Sequence, residues 1–143
     1  MTAARWFPDE MPVPSVNDDT RPFFEAALQH RLVVQRCTSC QRFRHPPRPV
    51  CPWCHSFDVE WVQVSGTGVL FTYSTVHLPF LPSLAPLLPY VVAVIELDGT
   101  DGTRMTSNLV DTPIDQIRIG MPVTVAWEDM SPTLALPRFT AGG

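Results

Sequence analysis

All four cysteines of the chain lie within the stretch CTSCQRFRHPPRPVCPWC, residues 37–54, as Cys37, Cys40, Cys51 and Cys54. Each Cys-x2-Cys pair directs two thiolates toward one point, and two pairs together form a tetrahedral site with four sulfur ligands. The spacing therefore predicts a structural metal site, and zinc is favoured over iron because zinc is the commoner ion in ribbons of this kind. A redox role for a single Cys-x2-Cys pair requires a thioredoxin-like βαβ context, which the sequence lacks.

The predicted metal site is already complete with its four thiolates. It has no open coordination position, so we expect the metal to stabilise the fold and not to act as a Lewis acid. The segment between the two pairs is too short and too polar to form a hydrophobic core, and metal binding on the order of 10 kcal/mol can replace one. His45 and His55 lie nearby in the sequence, and we expect neither to be a ligand.

Arginines are concentrated around the cysteines. All ten basic residues of the chain are arginine, and four of them fall within residues 36–48. A guanidinium group binds phosphate or carboxylate through two parallel hydrogen bonds, so this cluster is a candidate anion site. The alternative is a solvated ribbon surface on which the arginines pair with Asp58 and Glu60.

Composition limits the class of protein. The formal net charge is −4, which argues against a large nucleic-acid footprint because such surfaces are basic. No run of about 18 apolar residues is present, and the N-terminus lacks the apolar region of a signal peptide. We therefore expect a soluble, cytoplasmic protein without a membrane partner. Without lysine, a Schiff-base mechanism is excluded.

The order of patterns along the chain predicts a mainly β protein in three parts. Residues 1–35 form an extended arm and a helix, residues 36–64 the zinc ribbon, and residues 65–143 a five-stranded barrel of the OB type. Thr20 is the predicted helix cap and Pro22 lies in the first turn. The arm is expected to be disordered or to lie along a partner. The predicted barrel strands are residues 69–77, 90–97, 104–110, 123–128 and 134–140.

The segment LPFLPSLAPLLP, residues 78–89, is rich in both proline and large apolar side chains. Proline prevents a regular strand or helix over most of it. An exposed loop of this composition is uncommon, so the segment either covers its own barrel or contacts a ligand or partner.

The sequence offers no evident catalytic set. It contains no G-x-S-x-G elbow, glycine-rich phosphate loop or H-E-x-x-H motif, and the metal site uses all four cysteines. His77, at a predicted strand end, is the best isolated candidate for a base, but packing is the better interpretation. Asn108, Asp111 and Glu128 are expected to be turn and surface residues. We therefore predict that the chain is not an enzyme by itself.

The ordered motifs PFFEAALQHRLVVQRCTSCQRFRHPPRPVCPWC, GTGVLFTYSTVH, PYVVAVIELDGT, IGMPVTV and LPRF resemble the zinc-ribbon plus OB-fold family known as domain of unknown function 35. The resemblance extends from about Phe23 to Phe139 and implies an N-terminal helical segment, a rubredoxin-like ribbon and an OB barrel. One departure is Gln41, since glycine often follows the second cysteine of such a pair.

The resemblance also implies a role beside acyl-CoA enzymes. Family members accompany thiolase-like enzymes, some of them retro-aldolases of steroid side-chain degradation, which suggests a 2:2 hetero-oligomer and a CoA thioester ligand. A MaoC-type enoyl-CoA hydratase is an alternative companion, and a single-stranded nucleic-acid-binding OB protein is an alternative function. The candidate CoA-binding residues are Arg42, Arg44 and Arg48. The candidate partner-interface residues are Phe23, Phe24, Phe80, Leu81, Leu84 and Leu87.

Overall fold

The computed structural model describes residues 5–142, which form a mainly β fold with one α-helix. None of the helices in this range is long and apolar enough to cross a membrane. The elements are α1 Arg21–Leu28, β1 Val33–Cys37, β2 Phe43–Arg44, β3 Val59–Gln63, β4 Thr67–Val76, β5 Tyr90–Leu97, β6 Arg104–Leu109, β7 Pro122–Ser131 and β8 Leu134–Ala141, with 3-10 helices at Pro82–Leu87 and Ile114–Gln116.

The ribbon is a small antiparallel sheet in the order β2-β1-β3. The central strand, β1, delivers the chain to Cys37, and its residues pair with β3 from Val33↔Gln63 to Cys37↔Val59. This sheet therefore begins at residue 33, inside the segment assigned above to the arm and helix. The division of the chain at residues 36 and 65 stays a prediction.

The other five strands close into a barrel in the order β4-β5-β6-β8-β7, which confirms the predicted OB-type barrel. In β5 the side chains of Val91, Ala93, Ile95 and Leu97 are buried and alternate with less buried ones, as a strand with one face in the core requires. Strand β4 pairs with both β5 and β7, and a bulge between Leu70 and Thr72 bends it. Gly68 permits this close pairing, because a Cβ atom there would lie 2.4 Å from the Glu96 carbonyl oxygen.

Helix α1 starts without the predicted cap. Pro22 lies in the first turn, but the Thr20 side chain makes no capping hydrogen bond. The Asn17 side-chain oxygen instead accepts hydrogen bonds from the backbone N–H groups of Asp19 and Thr20, at 2.9 and 3.1 Å. An asparagine turn thus orients the chain as it enters the helix. The helix buries Phe23, Ala26 and Ala27.

The N-terminal arm, from residue 5 onward, packs against the chain's own barrel. The Phe7 side chain is buried with Leu84 and Val110, and its ring meets Tyr90 edge to face at 5.5 Å. The backbone N–H groups of Trp6 and Phe7 both donate to one carboxylate oxygen of Glu128. The expectation that the arm is disordered or lies along a partner is therefore wrong for these residues.

Glu128 is fully buried, which corrects its assignment to the surface. Strand β7 extends beyond the predicted limit to Ser131, and the arm covers the face on which Glu128 lies. Its second oxygen accepts from the Arg138 guanidinium at 2.8 and 2.9 Å, and Arg138 also donates to Asn108 at 2.9 Å. Asp111 is exposed at a bend, as expected, and it accepts a hydrogen bond from the Trp6 indole. A local sequence pattern does not show that a distant arm will cover a residue.

The proline-rich segment covers part of its own barrel, which is one of the two alternatives considered above, and its contact with a partner or ligand stays a prediction. It contains a 3-10 helix at Pro82–Leu87, which is more structure than its prolines predicted. Leu84 is completely buried beside Phe7, whereas Leu78 and Phe80 are 81% and 58% exposed. One side of the segment thus covers the barrel and the other faces outward.

We predict that Glu128→Gln destabilises the protein by about 3–5 kcal/mol, because the Arg138 side chain, only 12% exposed, loses its compensating charge. Urea denaturation monitored by fluorescence measures this change. The matched control is Glu96→Gln, which removes a carboxylate 3.6 Å from the exposed Arg104, and a surface pair of this kind contributes at most about 1 kcal/mol. Equal effects of the two substitutions would contradict the structural role of Glu128.

Candidate functional site

The sulfur atoms of the four cysteines converge on one point. All four lie within 4.8 Å of one another, and the Cys37–Cys54 and Cys40–Cys51 sulfur pairs are each 3.6 Å apart. A tetrahedral ion with Zn–S bonds of about 2.3 Å places its sulfurs about 3.8 Å apart, so the site fits such an ion. The four cysteines are free thiols and not disulfides. The residues form a metal-binding cysteine cluster, as the spacing predicted.

Two tight turns build the cluster. The N–H of Gln41 donates to the Cys37 carbonyl, and the N–H of His55 donates to the Cys51 carbonyl, both at 2.9 Å. Gln41 and His55 adopt left-handed backbone angles, with φ of 66° and 63°. Glycine favours this region, which explains its frequency after the second cysteine. Gln41 compensates by donating its side-chain amide to the Thr38 carbonyl at 2.7 Å.

The backbone N–H groups of the two turns stabilise the thiolate forms of Cys37 and Cys51, but at Cys54 this effect is outweighed. The backbone N–H of Cys40 is the main cause that lowers the pKa of Cys37. At Cys51 burial raises the pKa, but N–H groups of Cys54 and Trp53 outweigh it and lower the pKa to about 6. At Cys54 a hydrogen bond from the Ser56 backbone N–H lowers the pKa, yet burial and the neighbouring cysteine sulfurs raise it to about 11. A bound divalent cation offsets the repulsion between neighbouring thiolates and deprotonates its thiol ligands.

The arginines near the cluster divide into two groups. Arg36 pairs with Glu60, its Nε lying 2.6 Å from the carboxylate, as the surface-pairing alternative predicted for this cluster. Within residues 5–142, none of the guanidinium groups of Arg42, Arg44 and Arg48 lies within ion-pair distance of a carboxylate. Their assignment as a CoA or anion site stays a prediction, and their cationic groups are not neutralised by direct pairs.

A cleft separates the ribbon from the turn between β5 and β6, and we call it the ribbon–barrel cleft. Its volume is about 470 Å³, and Arg44, Arg48 and Trp53 line its ribbon side while Asp101 and Arg104 line its barrel side. Arg42 lies outside it, stacked at 5.2 Å on the Trp53 ring in an adjoining depression. Sequence reasoning missed Trp53 and Arg104, because only the fold brings the second cysteine pair beside the β5–β6 turn.

His45 lies between the cleft and helix α1. Its ring is 5.4 Å from that of Phe23, and its Nδ1 atom is buried without a hydrogen-bond partner. Burial lowers the pKa of His45 to about 4. The imidazole is thus neutral at neutral pH and is not a metal ligand, since it lies outside the cluster formed by the four cysteines.

The remaining candidates lie apart from the cleft. His77 has the Thr75 hydroxyl 3.0 Å from its Nε2 atom, and no ion pair joins it to a carboxylate within residues 5–142. Of the predicted partner-interface residues, Phe23 and Leu84 are buried in the chain's own core, so they are not available as contact residues in this structure. Phe80 and Leu87 are exposed, while Phe24 and Leu81 are partly buried beside the core clusters.

Comparison with known families agrees with this architecture. Residues 24–60 match the family described as "ChsH2, rubredoxin-like zinc ribbon domain", and residues 61–128 match "ChsH2, C-terminal OB-fold domain". The chain is therefore a metal-binding ribbon joined to an OB barrel. It belongs to the zinc-ribbon plus OB-fold family that is also called DUF35.

Individual relatives place the chain within this family. It is 33% identical to a "DUF35 domain-containing scaffold protein" of Methanothermobacter thermautotrophicus over 78% of the chain and 83% of that protein. It is 48% identical to a "Probable enoyl-CoA hydratase alpha subunit" of Thermomonospora curvata over 90% of the chain, but it spans only 39% of that relative. A solved structure titled "Ltp2-ChsH2(DUF35) aldolase" matches with a TM-score of 0.80 and 47% identity, over 90% of the chain and 98% of that one.

We predict that Cys37→Ser, or removal of the metal with a strong chelator, unfolds the cysteine turns of the ribbon, because metal binding on the order of 10 kcal/mol replaces the apolar core that these turns lack. Circular dichroism and amide NMR spectra should show loss of the ribbon signals, and added zinc should restore them only in the wild-type chain. Ser39→Ala, between two ligands, is the control. Unchanged spectra and an unchanged thermal midpoint after metal removal would refute the prediction.

We also predict a loss of stability in mild acid that depends on His45. The unfolded chain takes up a proton on this residue near pH 6.5, whereas the folded chain does so only near pH 4. Stability therefore falls as the pH decreases from about 6.5 to 4, by up to about 3 kcal/mol. Since acid also protonates the thiolates, the measurement compares urea denaturation of wild type and His45→Gln across this range. Parallel pH profiles of the two proteins would contradict it.

Proposed function

We propose that this chain is a non-catalytic accessory subunit that binds a thiolase-like acyl-CoA enzyme and helps to hold its CoA thioester. The observation that carries the proposal is the match to the structure titled "Ltp2-ChsH2(DUF35) aldolase", at 47% identity over 98% of that chain. A correspondence over nearly the whole of both chains supports a shared role in a complex with an aldolase-type enzyme.

The structure itself supports a binding role. Its buried carboxylate and its cysteines are engaged within the chain: Glu128 holds Arg138 and the arm, and the cysteines form the metal-binding cluster. We propose that the ion is Zn²⁺, since four thiolates in a rigid ribbon with no fifth ligand suit a structural zinc site. Such an ion stabilises the ribbon and leaves the chemistry to the partner.

We propose the outward side of the proline-rich segment as the partner interface. Leu78 and Phe80 are exposed at its start, and Leu87 at its end, while Leu84 fastens the segment to the barrel from beneath. Large apolar side chains on a segment held in this way provide the buried centre that protein interfaces require. The stoichiometry of 2:2 and the cytoplasmic location remain predictions.

A hydratase is the second candidate partner. The 48% identity to a segment of an enoyl-CoA hydratase alpha subunit favours it, although 61% of that relative lies outside the match, since the chain spans 39% of it. Single-stranded nucleic acid is less favoured, because all three barrel arginines are engaged: Arg138 with Glu128, Arg104 with Glu96, and Arg118 with backbone carbonyls.

Capture of partners from the native host's lysate tests the proposal. The tagged chain is used as bait in zinc-containing buffer, and the bound proteins are identified by mass spectrometry. A stoichiometric thiolase-like protein supports the proposal, and its retro-aldolase activity on a steroid CoA thioester is the first to assay. Capture of a hydratase instead would support the hydratase as the partner. A bait that elutes alone would refute the proposal that the chain forms an obligate complex.

We predict that Leu78→Asp with Phe80→Asp releases the partner without unfolding the barrel, because both side chains are exposed and their burial in a complex would strand two carboxylates. Co-elution on a sizing column measures the complex. The control is Ile119→Asp, which changes an equally apolar residue, 66% exposed, outside the segment. Retained co-elution of the double variant would refute this interface.

A further inference from the structure

The ribbon–barrel cleft contains an arginine that the chain buries but does not satisfy. Arg44 is 5% exposed, and it donates from one terminal nitrogen to the Arg48 carbonyl oxygen at 3.0 Å. Its Nε and Nη1 atoms are buried and have no hydrogen-bond partner within the chain. A buried guanidinium with two free donors is costly unless an acceptor completes it, so this side of the cleft is prepared for an anion.

The charge of the cleft supports the same conclusion. Arg48 and Arg104 are exposed on opposite walls, and Arg44 forms part of the ribbon wall. The lining contains one carboxylate, that of Asp101, and Glu96 lies 3.6 Å from Arg104. Three arginines against these two carboxylates leave positive charge in excess, concentrated on the ribbon wall, which suits a phosphate-bearing ligand.

An aromatic wall adjoins the cations. One face of the Trp53 indole carries the Arg42 guanidinium at 5.2 Å, and half of the Trp53 side chain remains exposed. An exposed tryptophan beside arginines is the arrangement on which a nucleic-acid base stacks. The volume of about 470 Å³ lies within the range of about 300–1,000 Å³ typical of small-molecule sites.

We infer that the ribbon–barrel cleft binds a purine nucleotide bearing at least two phosphate groups, with the phosphates on Arg44, Arg48 and Arg104 and the base on Trp53. Coenzyme A ends in such a nucleotide, and this assignment of the ligand rests on the proposed function. The site differs from the set expected from the sequence, which was Arg42, Arg44 and Arg48. Arg42 stacks on the Trp53 indole outside the cleft, and Arg104 lines the cleft with Arg44 and Arg48.

The test uses the zinc-loaded 143-residue chain and isothermal titration calorimetry with three probes: adenosine 3′,5′-bisphosphate, pyrophosphate and adenosine. The bisphosphate should bind about tenfold more tightly than pyrophosphate, because stacking adds to the ionic contacts. Trp53→Ala should remove this difference and leave pyrophosphate binding unchanged. Failure of both phosphate probes to bind at millimolar concentration would overturn the inference.

Charge variants test the cation assignment. Arg48→Gln and Arg104→Gln should each weaken both phosphate probes about tenfold, and both residues are exposed, so the fold should persist. Arg44→Lys keeps the charge but loses the buried donors, and it should weaken the probes as well. Arg31→Gln, at an exposed arginine outside the cleft, is the matched control. Equal loss in this control would mean non-specific charge attraction and would overturn the site.

Two further outcomes separate this inference from its neighbours. A single-stranded oligonucleotide whose affinity rises with its length would overturn the inference in favour of nucleic-acid binding. If the chain binds the nucleotide but captures no partner, the nucleotide site is supported and the accessory role is refuted. If the chain captures a partner but binds no nucleotide, the accessory role is supported and the nucleotide site is refuted.

Discussion

Four sulfur atoms within 4.8 Å of one another form the constraint on which the ribbon depends. The sheet β2-β1-β3 is small, and its outer strand β2 contains only Phe43 and Arg44. A sheet of this size is not stable alone, and it packs Val34 and Phe43 into the core that it shares with the barrel. The two cysteine turns have no such core, so we expect a bound metal to hold them. The two cysteine turns also fix where Trp53 and the arginines lie, and the ribbon side of the cleft therefore depends on the same cluster.

The barrel contains a fully buried carboxylate, that of Glu128 on β7. Glu128 is surrounded by the Arg138 guanidinium and by two N–H groups of the arm. A buried carboxylate with each oxygen engaged is tolerated, whereas an unpaired one is not. The arm is thereby joined to the barrel by polar contacts as well as by Phe7, and the same arm covers Leu84 of the proline-rich segment.

These features distribute function over separate surfaces. The four cysteines form the metal-binding cluster, the outward side of the proline-rich segment is apolar, and the ribbon–barrel cleft is cationic. The barrel interior is filled by side chains such as Phe139 and Ile95, which are completely buried. The proposed partner and ligand contacts therefore lie on the exterior. A family that contains scaffold proteins and an aldolase-associated chain is consistent with such a division.

The sequence by itself determined the metal site and the order of the elements. Cysteine spacing is local, because each Cys-x2-Cys turn closes within a few residues, and alternation in β5 or the proline in the first turn of α1 is equally local. Gln41 shows the limit of such rules, since a side-chain bond to Thr38 lets it replace the expected glycine. The resemblance to a known family supplied the barrel type, which the five strands alone only suggested.

Only the tertiary structure decided which polar residues are buried and which cations share a site. Glu128 is polar and was expected at the surface, but an arm more than a hundred residues away in the chain covers it. Leu84 and Phe80 are both large and apolar, but Leu84 lies in the 3-10 helix and is buried, whereas Phe80 precedes that helix and is exposed. Arg104 joins Arg44 because the β5–β6 turn meets the ribbon. Burial and convergence of this kind arise from packing between residues far apart in the chain, so local sequence patterns do not predict them.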